Sequence, residues 1–167
     1  METLQIGPWI VKYDAEATRQ AYRQIENGDS DRCDCEACDN FVQVREKFYP
    51  EEALRVFDKL GIDYRKEVHL SHVWRESPGW HLYDGSFYFV GLIEKIIEHL
   101  KPIREDGKKA DFVPVTEHFH WVFFRPTVLY SKEAGKAFAG EPVVEINFAH
   151  FKVPRVLEVK EPEIDVR

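Results

Sequence analysis

The sequence has no long hydrophobic run. No window of its 167 residues approaches the roughly 20 consecutive apolar residues that a membrane-spanning helix needs. The first residues, Met1 to Ile6, contain neither the basic stretch nor the apolar stretch of a secretory signal. These two absences predict a soluble, cytoplasmic protein that does not bind a membrane.

The sequence also lacks the short motifs that identify common enzymatic reactions. It contains no G-x-x-x-x-G-K phosphate loop, no H-E-x-x-H zinc-protease motif and no G-x-S-x-G nucleophile elbow. The sequence therefore indicates no reaction and no substrate, and it leaves open whether the protein is an enzyme.

Basic residues are fewer than acidic ones. The chain has 23 Lys and Arg residues against 30 Asp and Glu residues, which gives a formal net charge of -7 at pH 7. Such an acidic protein is a poor partner for nucleic acid, which is bound by basic patches. We expect a basic protein as the partner, and no nucleic acid.

Length and composition fit one globular domain. The chain is 44% hydrophobic and 32% charged, which is typical of a folded protein and not of a disordered one. A length of 167 residues suits a single core. We predict one domain over residues 1–157 and a charged C-terminal tail over residues 158–167.

Cysteine is scarce, and it is concentrated in one place. The three cysteines, Cys33, Cys35 and Cys38, follow the spacing C-x-C-x-x-C. Five carboxylates lie close to them in the sequence: Asp29, Asp31, Asp34, Glu36 and Asp39. Nearby negative charge disfavours a bare thiolate, whereas a divalent cation deprotonates its ligands and is stabilised by carboxylates. The cluster therefore predicts a metal site with these three cysteines as ligands, and zinc is the expected metal because zinc knuckles use the C-x-x-C spacing.

A structural zinc site needs a fourth ligand. Asp34, Asp39 or a water molecule could supply it. The other candidates are the seven histidines: His69, His72, His81, His99, His118, His120 and His150.

Two other interpretations of the cysteines remain open. Cys33 or Cys35 could pair with Cys38 as a local redox couple, which would leave one cysteine over. Alternatively, all three could be reduced thiols at a turn, since a second cysteine pair typical of a four-ligand zinc site is missing.

Hydrophobic periodicity predicts helices in the first third of the chain. A strand at residues 9–13 precedes a helix that Asp14 caps and that Asn27-Gly28 ends. A second helix is predicted over Phe41–Phe48, and a third runs from Pro50 to Gly61.

Alternating patterns predict strands in the remainder. Strands are predicted at 67–74, 115–124 and 143–151, and Asp84-Gly85 is a strong hairpin signal. Residues 86–100 fit a strand or a helix, and we favour a strand because the preceding turn needs a hairpin partner. The order of elements predicts an α+β fold, in which N-terminal helices pack on an antiparallel sheet of about four to five strands.

His118 and His120 form a second candidate site. Residues two apart in a strand point to the same side, so both imidazoles would share one face of the sheet. A metal-dependent enzyme would add a carboxylate such as Glu145, with His150 or His72 from a neighbouring strand. The alternative is that one sheet face is exposed to solvent and carries these histidines without a further role.

Several short motifs follow one another along the chain. They are Gly7-Pro8-Trp9, Thr18-Arg19, Cys33 to Phe41, Tyr49-Pro50, Leu60 to Asp63, Phe89 to Gly91 and Pro142 to Phe148. This series resembles an uncharacterised family of small bacterial proteins with the motif C-x-C-x-x-C-x-N-F followed by Y-P and L-G-I-D. The resemblance covers most of the chain and implies a bacterial, stand-alone, single-domain protein, but no activity, substrate or cofactor. Where the family has a glycine-rich turn before the central strand, this chain has Leu82 to Gly85.

The leading prediction is a zinc-binding domain whose acidic surface binds another protein. The first rival is a metal-dependent enzyme that uses His118 and His120. The second rival is a thiol-redox protein that uses the cysteine cluster.

Overall fold

The computed structural model describes residues 1–163 and has seven β-strands and four α-helices within that range. The strands are β1 (Glu2–Ile6), β2 (Trp9–Tyr13), β3 (His69–Ser77), β4 (Trp80–Ile96), β5 (Val113–Thr116), β6 (Phe119–Phe124) and β7 (Val143–Pro154). The helices are α1 (Ala15–Arg23), α2 (Glu36–Phe48), α3 (Glu51–Leu60) and α4 (Lys132–Ala137). Residues 164–167 of the predicted tail lie outside the described residues.

The strands form one antiparallel sheet in the order β1-β2-β4-β7-β6-β5. β3 pairs with the first part of β4, and β2 pairs with the last part of β4.

The predicted mixed α and β composition and the antiparallel sheet are confirmed, but the predicted number of four to five strands is wrong because the sheet has seven. β1 has no counterpart among the predicted strands, and the predicted strand at 115–124 is two strands joined by a turn at Glu117-His118. The helices are not all N-terminal, since two strands precede α1 and α4 lies between β6 and β7.

β4 passes through the predicted hairpin turn. Gly85 pairs with Leu70 on one side and Phe148 on the other, and the turn lies instead at Pro78-Gly79. A Cβ atom on Gly85 would lie 2.5 Å from Cζ of Phe148 and 2.7 Å from the carbonyl oxygen of His69. This glycine therefore permits close packing inside the sheet and does not mark a turn. The favoured strand after residue 86 is confirmed as far as Ile96.

α2 and α3 pack on one face of the sheet through aromatic side chains. The ring of Phe57 in α3 lies 4.7 Å from the ring of Phe87 in β4, and the ring of Phe41 in α2 lies 5.1 Å from that of Tyr83. The hydroxyl of Tyr83 donates a hydrogen bond of 2.7 Å to the carbonyl oxygen of Ala37. These contacts fix the first turn of α2 against β4.

Of the predicted ends of α1 and α3, the start of α1 and the end of α3 are confirmed, and the end of α1 differs. Asp14 caps α1 as predicted, because its side chain accepts a hydrogen bond of 2.9 Å from the backbone N–H of Ala17. α1 ends at Arg23, however, and not at Asn27-Gly28. α3 ends as predicted at Gly61, whose φ of 81° favours glycine. No helix in the described part of the chain is long and apolar enough to cross a membrane.

Candidate metal centre

The structure brings the three cysteines together at the N-terminus of α2. Cys33 follows a single 3-10 turn (Ser30–Arg32), Cys35 is the N-cap of α2, and Cys38 lies in the first turn of the helix. Their Sγ atoms all lie within 4.8 Å of one another. All three thiols are free; Cys35 is exposed, and Cys33 and Cys38 are half-buried. Within residues 1–163 this is the one group of three or more His, Cys, Asp or Glu side chains whose ligand atoms are so close together.

α2 begins earlier than predicted, and this changes the chemistry of the cluster. The predicted start was Phe41, whereas the helix starts at Glu36 because Cys35 has the extended backbone of an N-cap residue, with φ -83° and ψ 151°. The unpaired N–H groups of the first turn, including those of Ala37 and Cys38, lie near the sulfur of Cys35 and help to lower its pKa, although none of them makes a capping hydrogen bond to its side chain. A helix N-terminus stabilises negative charge, so this position favours a thiolate.

The pKa values of two thiols move in opposite directions. The pKa of Cys35 is lowered, mainly by a hydrogen bond from the Cys33 thiol, with an Sγ–Sγ distance of 3.0 Å, and also by backbone N–H donors. Burial raises the pKa of Cys38, and its neighbouring sulfur atoms raise it further. Without a metal, the surroundings thus favour a thiolate at Cys35 over one at Cys38.

The loop before Cys33 is anchored by a buried ionic network. Glu67 is fully buried; it accepts hydrogen bonds from the backbone N–H of Ser30, at 2.8 Å, and from the Ser30 hydroxyl. The guanidinium of Arg45 in α2 lies 3.3 Å from Oε2 of Glu67 and donates to the Ser30 hydroxyl at 3.1 Å. Burial raises the pKa of Glu67, while Ser30 and Arg45 oppose that rise. The network ties the 3-10 turn that precedes Cys33 to α2, on which Cys38 lies.

Arginines from distant parts of the sequence neutralise some of the carboxylates around the cysteines. Arg45 makes an ion pair of 3.0 Å with Asp31, and Arg155 makes one of 3.0 Å with Glu36. These two ion pairs weaken the like-charge repulsion that the sequence predicts around the cysteines.

The second candidate site is not assembled as predicted. His118 lies in the turn before β6 and is exposed, so it does not share a strand face with His120. The ring of His120 lies 4.9 Å from the ring of His150, whose backbone has a positive φ of 59°. Glu145 is buried in β7, and neither of its carboxylate oxygens has a hydrogen-bond partner in the described residues. The prediction of a site built on His118-x-His120 in one strand is wrong, because the strand assumed for it is broken by a turn.

The chain matches no protein-family model, no curated protein and no solved structure.

Proposed function

We propose that the protein binds one zinc ion through Cys33, Cys35 and Cys38. The observation that carries the proposal is the convergence of three free sulfur atoms within 4.8 Å of one another. Zinc prefers sulfur ligands in a tetrahedral arrangement, and binding would replace the S–H protons of the cluster by a single cation. Half-burial of Cys33 and Cys38 supports a structural role, in which zinc ties the 3-10 turn to the start of α2.

Three thiolates leave the fourth position of the zinc ion for another ligand. Cys35 is exposed, so this position would be accessible to water or to a side chain of a partner.

The surface around the proposed metal site is acidic. Asp34 and Asp39 are exposed and make no ion pair within residues 1–163. Together with the net charge of -7, this supports the proposal that the surface around the metal binds a basic protein. A bacterial origin and a cytoplasmic location are parts of the same proposal, and the reduced cysteines are consistent with a reducing compartment.

A thiol-redox function is the second candidate, because the geometry of Cys35 and Cys38 specifically favours it. An exposed N-cap cysteine with a lowered pKa is a nucleophile, and a half-buried cysteine three residues later with a raised pKa can act as the resolving thiol. The Cys35 thiolate would attack a disulfide substrate and release one of its sulfurs as a thiol. Cys38 would then displace the second sulfur, which leaves a Cys35–Cys38 disulfide and a reduced substrate.

Zinc content and thiol reactivity separate these functions. Protein purified under reducing conditions without chelator is expected to contain about one zinc per chain at the cysteine cluster, with three thiols that react slowly until zinc is removed. Cys33→Ser should lose this zinc, whereas the double variant His118→Ala/His120→Ala should keep it. If no metal is present and three thiols react freely, the zinc proposal is wrong. If no metal is present and mild oxidation lowers the number of reactive thiols per chain from three to one, the redox function is favoured.

A further inference from the structure

A cleft adjoins the first turn of α2. It has a volume of about 330 Å³. Its walls are the first turn of α2, the β3–β4 hairpin and the segment after β7. The lining includes His72, Arg75, His81, Arg155, Glu161 and Glu163. The three cysteines do not line this cleft, so it is separate from the proposed zinc site.

Two histidines and a carboxylate form a hydrogen-bonded chain in the cleft. Nε2 of His72 lies 2.7 Å from Nδ1 of His81, and Nε2 of His81 lies 2.6 Å from Oε1 of Glu161. A neutral imidazole carries one N–H, and the carboxylate of Glu161 selects the tautomer in which His81 donates from Nε2. Nδ1 of His81 therefore presents a lone pair toward His72.

The orientation of His81 is fixed by its surroundings. The side chain is 9% exposed, and its carboxylate partner is held in turn by two other groups. Oε2 of Glu161 accepts a hydrogen bond of 2.9 Å from the backbone N–H of Gly79 and lies 3.0 Å from the guanidinium of Arg75. His72, in contrast, is an exposed residue, and its ring lies 4.9 Å from that of His81 and 5.2 Å from that of Tyr83.

We propose that His72 and His81 form a second metal site, for a divalent ion such as zinc or cobalt, with Glu161 as a positioning residue. A histidine ligand commonly donates its other N–H to a carboxylate, which is the relation between His81 and Glu161. Zinc–nitrogen distances of about 2.0–2.1 Å put two tetrahedral ligands roughly 3.3 Å apart. The ion would therefore enter if His72 rotated to widen the observed 2.7 Å separation of the two nitrogen atoms by about 0.6 Å and moved its proton from Nε2 to Nδ1, which frees Nε2 as a ligand.

The charges of the cleft permit a cation. Arg75 is paired with Glu161, and Arg155 is paired with Glu36, so neither guanidinium is left uncompensated. Glu163 adds a further carboxylate to the lining. Water molecules would complete the coordination shell, since no third His, Cys, Asp or Glu side chain in residues 1–163 has a ligand atom within 4.8 Å of both histidine nitrogens.

Titration of the metal-free full chain with Co²⁺ tests this site independently of the cysteines. The unmodified protein should bind two equivalents, one with an intense sulfur-to-cobalt charge-transfer band and one with only the weak bands of nitrogen and oxygen ligands. His72→Ala should lose the second equivalent and keep the charge-transfer band. Glu161→Gln should weaken the second site by roughly 10–100-fold, because the loss of an orienting carboxylate has effects of that size.

Two comparisons decide the outcome. The triple variant Cys33→Ser/Cys35→Ser/Cys38→Ser should lose the charge-transfer band and still bind one Co²⁺, so a failure of the cysteine site is distinguishable from a failure of the histidine site. His120→Ala serves as the matched histidine control and should bind as the unmodified chain does. If His72→Ala and Glu161→Gln, each with an unchanged circular dichroism spectrum, bind cobalt with unmodified stoichiometry and affinity, the second site does not exist.

Discussion

Replacing Arg45 by alanine is expected to lower the free energy of unfolding by about 3–5 kcal/mol, because removal of one partner leaves a buried charge uncompensated. Glu67 is fully buried, and its carboxylate depends on the guanidinium of Arg45 and on Ser30 for compensation. The same substitution removes the ion pair with Asp31. Urea-induced unfolding, monitored by circular dichroism, measures the effect. Since the network anchors the loop before Cys33, the variant should also bind zinc more weakly.

Arg65→Ala is the matched control for this substitution. Arg65 forms an ion pair with Glu46, but the two side chains are 51% and 53% exposed. Exposed ion pairs contribute about 0–1 kcal/mol, so this variant should be nearly as stable as the unmodified protein. Equal effects of the two arginine substitutions would show that the buried network does not stabilise the loop.

Saturation with zinc is expected to raise the free energy of unfolding by about 4 kcal/mol when free zinc is roughly 1,000-fold above its dissociation constant. For a chain of this size the increase corresponds to a rise in Tm of about 8–16 °C. The physical reason is that three thiolates converge on one ion only in the folded state. Thermal unfolding in zinc and in excess chelator measures the difference between the two Tm values.

Cys38→Ser should abolish most of this zinc-dependent stabilisation, since Cys38 lies on α2 and Cys33 lies on the loop that zinc would tie to it. His120→Ala should retain the stabilisation, because His120 lies in β6 and is not part of the cysteine group. A Tm that is the same in zinc and in chelator would mean that the cysteine cluster does not bind zinc as a structural ligand set.

Local sequence signals predicted the features that depend on residues close to one another in the sequence. The C-x-C-x-x-C spacing predicted that the three cysteines cluster, and Asp14 and Gly61 predicted a helix start and a helix end that the structure confirms. Each of these features depends on a backbone conformation or a contact within a few residues, so a short window of sequence contains the necessary information.

Features that depend on tertiary packing were not predictable in the same way. Asp84-Gly85 has the sequence of a tight turn, but its glycine serves the close approach of Phe148, which is 63 residues later in the chain. The turn that separates His118 from His120 interrupts a run of alternating residues that looks like one strand. The sequence contains no local indication of either outcome.

The residues that surround the cysteines in the fold were also not predictable from the local sequence. The counter-charges come from Arg45 and Arg155, and the anchor is Glu67, none of which belongs to the cysteine motif. The chain from His72 through His81 to Glu161 likewise forms only when β3, β4 and the segment after β7 come together. No spacing rule within the motif could have indicated these partners.

X-ray absorption at the zinc edge identifies the atoms bound to the zinc ion. The sample is the His72→Ala protein loaded with one equivalent of zinc, so that only the cysteine site remains occupied. We expect three sulfur neighbours at about 2.3 Å and one nitrogen or oxygen neighbour. A coordination shell made only of nitrogen and oxygen atoms would contradict the assignment of Cys33, Cys35 and Cys38 as the zinc ligands.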